Sequence, residues 1–118
     1  MKQFQLINAY KATDKLSHND KLSADTLWGI YNLRKQLFPH WEFEAEREKD
    51  LQQKYSQYID AEGNITGQPY KEYMEELTSL LNLDKDISIE KIQIPLTDDL
   101  GVTVEMMEAL EDFIEFTK

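Results

Sequence analysis

Cysteine is absent from this chain of 118 residues. That excludes disulfides, thiolate metal sites and cysteine nucleophiles, and it fits a reducing compartment. Histidine occurs twice, at His18 and His40, on different segments. The i,i+4 pairing that builds a helical metal site is therefore missing. The glycines, Gly29, Gly63, Gly67 and Gly101, stand alone and form no phosphate-cradling loop. The serines show no nucleophile-elbow pattern. Asp84-Lys85-Asp86 lacks the glycine and distal glutamate of a calcium loop, which leaves at most a weak hard-cation site there or at Asp98-Asp99. No cofactor or metal is expected. No segment approaches the ~20 apolar residues of a membrane span. The start, Met1-Lys2-Gln3-Phe4-Gln5, lacks the apolar stretch of a signal peptide. A cytoplasmic protein without a membrane partner is the expectation, and the triplet Asn64-Ile65-Thr66 is read as chance in that setting.

What the chain has is acid, unevenly placed. Residues 1–58 carry nine Lys/Arg against eight Asp/Glu; residues 59–118 carry four against fifteen, for −10 overall. Such a field steers partners more than it specifies a fold. It disfavours direct contact with nucleic acid phosphates. At this length one domain, 1–118, is expected, and 31% charged residues suit long amphipathic helices with wet outer faces.

Helical spacing begins with Phe4, Ile7, Tyr10, Ala12 and Leu16. Ser17-His18-Asn19-Asp20 breaks it. Ser23 is an N-cap candidate with Asp25 in the first turn. Leu27, Ile30, Leu37, Trp41, Ala45, Leu51, Tyr55 and Tyr58 then recur at threes and fours, far beyond the about 11–12 residues of an average helix. Pro39 interrupts this stripe, and the segment is either kinked near Phe38 or split into two helices, the second starting at Pro39; the kink is favoured, because the stripe keeps its phase across it. Gly29 is a second weak point that lets another element approach closely. Asp60-Ala61-Glu62-Gly63-Asn64 is a turn, and Pro69 opens a third helix with Tyr70, Tyr73, Met74, Leu77, Leu80 and Leu81 on its apolar face.

Ile87-Ser88-Ile89 and Ile92-Gln93-Ile94 alternate with period two, out of phase with each other, and predict a strand with a bulge or two short strands, confined by Pro95 to a sheet edge or a strand end. One strand cannot satisfy its own backbone, so its partner is the N-terminal segment, a hairpin within 87–96 or another subunit. Thr103 caps a closing helix with Val104, Met107, Leu110, Phe113 and Ile114 inward and Glu105, Glu108, Glu111 and Asp112 outward. The fold class expected is mainly α: a long kinked helix in an antiparallel helical hairpin, 23–59 against 69–82, with flanking short helices and a small β element. Most burial is expected along the hairpin seam, so that Leu51→Asp would unfold the protein.

Glu42, Glu44, Glu46 and Glu48 alternate along the long helix and read as a solvated charged surface. His40 with nearby carboxylates is the one conceivable acid–base group. The aromatic residues cluster on the hairpin in numbers that exceed what two or three helices can cover.

The stretches "LINAYKATDKLS", "FEAEREKDLQQKY", "DAEGN", "ISIEKIQIPL" and "LGVTVEMMEALEDFIEF", in that order, resemble the small proteins of unknown function encoded by phages and prophages of Gram-positive bacteria. The most specific part is the strand, the proline, and Thr103, Glu105, Ala109, Leu110, Phe113 and Ile114 in the final stretch. Pro39 departs from that family's long helix. The resemblance implies an assembly or accessory role and no catalytic residues.

The function expected is a non-enzymatic interaction protein that self-associates. Its partner surface is the strand bearing Ile87, Ile89, Ile92 and Ile94, together with Glu105, Glu108, Glu111 and Asp112. The alternative is an acidic decoy, in which those acids with Glu72, Glu75 and Glu76 imitate nucleic acid phosphates and occupy a basic protein surface.

Overall fold

A computed structural model of the chain describes residues 1–96 and 100–117; Asp98-Asp99 lies outside them. The elements in order are α1 (Gln3–Ser17), α2 (Ala24–Tyr55), α3 (Gly67–Leu81), β1 (Ile92–Pro95), α4 (Val104–Leu110) and β2 (Ile114–Thr117), with a 3-10 turn, Ser56–Tyr58, closing α2. The protein is mainly helical with a small two-stranded sheet.

Local chemistry sets these limits. Ser23 Oγ accepts the Thr26 amide at 3.2 Å and starts α2, and Thr103 Oγ1 accepts the Met106 amide at 3.2 Å and starts α4. Asp60 Oδ1 accepts the amides of both Glu62 and Asn64 at 2.9 Å, and Gly63 takes a φ of +83°, which turns the chain between α2 and α3. Pro39 sits inside α2 without ending it; the helix runs unbroken for 32 residues, about 48 Å at 1.5 Å per residue.

The core lies elsewhere than the sequence suggests. Leu6, Ala9, Ala12 and Leu16 of α1 pack on Ile30, Leu33 and Leu37 of α2, and Ile94, Met106, Leu110, Phe113 and Ile114 close the same cluster. Arg34 meets Tyr10, Thr13 and Asp14 near one end of α1, while Gln3 meets His40 at the other, so α1 and α2 run antiparallel. The α2–α3 hairpin exists, but none of the fifteen residues of α3 is buried. The reason is coverage: the first half of α2 has α1 and β1 against it, whereas its second half has α3. Leu51 is accordingly half-buried and not part of the core.

β1 also differs from the expected 87–94 strand. Residues 87–89 are irregular, and Ile92–Pro95 pairs in parallel with the chain's own C-terminal segment, Ile92 opposite Ile114 and Ile94 opposite Phe116. Ile114 therefore belongs to a strand and not to the closing helix, which ends at Leu110. A parallel pair needs a crossover, and α4 is that crossover. The N-terminal residues pair instead with the α3–β1 connector: the Gln3 amide donates to Leu83 O at 2.9 Å and the Lys85 amide to Met1 O at 2.8 Å.

Gly29 is where β1 meets α2. A Cβ there would stand 3.4 Å from Ile92 Cδ1. The close approach foreseen at this glycine is made by the strand.

Candidate functional site: an open helical arm and a mixed-charge groove

The second half of α2 and α3 form a two-helix arm. Its two helices are joined by a polar clasp. Glu76 Oε1 accepts from Lys54 Nζ and Glu76 Oε2 from Tyr55 Oη, each at 2.6 Å, and Tyr73 meets Tyr55 edge-on with ring centroids 5.6 Å apart. These two donors hold the Glu76 carboxyl below its usual range. Around the clasp, Leu51, Tyr73, Leu77, Leu80 and Leu81 are half-buried, and Tyr70 is 50% and Met74 36% exposed. A shallow hollow of about 620 Å³ on the outer side of α3 is lined by Tyr70, Lys71, Met74, Glu75, Thr78 and Ser79.

A second exposed row lies on the first half of α2. Trp28 stacks on Tyr31 at 5.6 Å, with 64% of Trp28 exposed. Further along, Tyr10, Phe38 and Trp41 form a ring cluster with centroids 5.5–6.1 Å apart, and the Arg34 guanidinium lies 4.6 Å from the Tyr10 ring centre. The aromatic surplus read from the sequence is thus exposed on both halves of α2 and on α3.

The acids Glu105, Glu108, Glu111 and Asp112 are exposed along a groove of about 430 Å³ between α1 and α4, whose opposite wall carries Lys11 and Lys15. The division of charge along the sequence is not a division in space at this groove, since α1 comes from the near-neutral half and α4 from the acidic one. The isoleucines expected at an interface pack on the core. Ile94 is buried, and Ile87, Ile89 and Ile92 are partly buried against the core.

Sequence reasoning overlooked a polar junction between the two regions. Gln3, fully buried, donates from Nε2 to His40 O at 2.9 Å, while its Oε1 has no hydrogen-bond partner among the described residues. Lys85 Nζ stands 3.3 Å from His40 Nδ1 and 4.5 Å from the Phe43 ring centre. Burial, reinforced by the Lys85 charge, lowers the His40 pKa, and burial lowers that of Lys85. Glu44, one turn beyond His40, is 5% exposed, and its carboxyl is pushed up to about 7 by burial first and then by Glu48. So the alternating acids are not all solvated: Glu42 and Glu46 are exposed, Glu48 is half-buried and Glu44 is interior. The available signal was position, because residues 37, 41, 44, 48 and 51 fall on one helical stripe.

Among the described residues no group of three or more His, Asp or Glu could hold a metal ion. Among them, too, no helix is long and apolar enough to cross a membrane. Compared with protein-family models, curated proteins and solved structures, the chain matches none.

Proposed function

We propose that the chain is a non-enzymatic interaction protein that self-associates, working in the cytoplasm as an assembly or accessory component of phage or prophage origin. The observation that carries this reading is α3, an amphipathic helix with no buried residue. A helix of this kind draws its stability from packing its apolar face, and here that face is half-covered. The exposed rings of α2 add apolar surface of the type enriched at interface centres. The phage origin rests on the sequence resemblance. Two side chains favour a non-catalytic role. The Thr103 hydroxyl in the α1–α4 groove caps a helix, and His40 is faced by an ammonium group.

The decoy reading is less favoured, because lysines stand opposite the α4 acids and Glu76 is taken up by Lys54 and Tyr55. Molar mass from light scattering, at about 50 mM and about 500 mM salt, tests the proposal. A dimer or larger species that grows with protein concentration is expected at both. A monomer throughout would overturn self-association and bring the decoy forward.

A further inference from the structure

Resting on that self-association, we infer that the partner of the α3 outer face is the same face of a second copy, packed antiparallel across a two-fold axis near Met74. Three observations lead there. The hollow over Tyr70, Met74 and Thr78 lies on the side of α3 turned away from the Glu76 clasp. Its rim carries one residue of each sign, Lys71 and Glu75, and both are exposed without an ion pair among the described residues. Within one helix a lysine four residues before a glutamate is the weaker order of an i,i+4 pair. Across an antiparallel two-fold the same spacing becomes self-complementary. With Met74 on Met74 of the second copy, Tyr70 falls opposite Thr78, and Lys71 lies on the same side as the second copy's Glu75, displaced by about 3 Å along the axis and within reach of it, twice by symmetry.

The size of the patch sets the strength. A helix of fifteen residues offers a face about 22 Å long. That is well under the ~800 Å² per partner of a standard interface, so the dimer is weak and exchanges rapidly.

Sedimentation equilibrium at about 50 mM salt on the full chain decides the matter. Lys71→Glu and Glu75→Lys, each at an exposed position, are expected to raise the dimer dissociation constant about tenfold, since each reversal acts twice across the axis. The variant carrying both exchanges restores the opposite-sign pairing and is expected to return to within about threefold of wild type. A wild-type dimer that ignores both single changes, or a double variant no better than the singles, would overturn the α3 interface while leaving self-association intact. The interface would then lie on the exposed Trp28, Tyr31 and Phe38 of α2. A wild-type monomer at every concentration would remove both readings together.

Discussion

Glu44 is the residue whose placement has the clearest thermodynamic consequence. A carboxylate loses its hydration when buried, so the folded chain holds this proton to about pH 7, whereas an ordinary glutamate releases it near 4.5. Below pH 4.5 both folded and unfolded chains carry the proton, and stability does not depend on it. Between 4.5 and 7 the folded state binds the more protons, so stability falls as pH rises; above 7 the penalty is complete. Lys11 of α1 opposes the shift, Glu48 on the same helix reinforces it, and His40 and Lys85 sit one turn away. The shift corresponds to roughly 3 kcal/mol at most. Glu44→Gln is expected to flatten this dependence and to be more stable than wild type at pH 8 but close to it at pH 5. Urea unfolding at the two pH values reads the effect, and parallel curves for the two proteins would refute the burial account. The helical stripe through residues 37, 41, 44, 48 and 51 set Glu44 and Glu48 apart from Glu42 and Glu46, but it could not say which of the two a neighbouring segment would bury.

At the scale of elements, α2 was the most legible. Its cap at Ser23 and the close approach at Gly29 follow from residue chemistry read in order, and at Pro39, where the sequence left a kink or a split open, the unbroken phase of the stripe favoured the single helix that forms. Gly29→Ala would gain helix propensity, about 1 kcal/mol, against a Cβ contact at 3.4 Å that Ile92 can accept. A stabilisation of up to about that size is expected in thermal unfolding; Gly29→Leu, in contrast, would displace β1 and destabilise. A stabilising Leu variant would show that Ile92 does not pack there. The C-terminal elements were legible in part. Ile92-Gln93-Ile94 announced a strand, but Leu110, Phe113 and Ile114 fit helical spacing, which hid the alternation of Ile114, Glu115 and Phe116. Tertiary pairing with β1 decides between the two periods. A short apolar run can follow either one, and nothing local says that a strand 22 residues upstream awaits it.

Across the whole molecule, the distribution of burial predicts two levels of stability. The radius of gyration is 17.5 Å, and the principal extents are 51 × 32 × 21 Å. A compact chain of this length would have a radius of about 13.5 Å. The excess is the arm, which leaves the body along α2. Sequence periodicity identified both helices of the arm but could not weigh them, because half-covered and fully covered apolar stripes have the same spacing. Body residues such as Leu110, fully buried, are expected to cost about 2–5 kcal/mol on truncation to alanine. Leu51→Asp strikes the arm instead, so it should free α3 without unfolding α1, contrary to the expectation from the sequence. Native-state hydrogen exchange separates these cases. The α3 amides should open with a smaller free energy than those of α1 in wild type and lose most of their protection in Leu51→Asp, while the α1 amides keep theirs. Equal protection of α1 and α3, lost together in the variant, would mean that body and arm unfold as one unit. The proposed dimer would bind the folded arm through α3, so α3 protection should then also rise with protein concentration, by mass action, while that of the exposed loop at Asp60–Asn64 does not change with it.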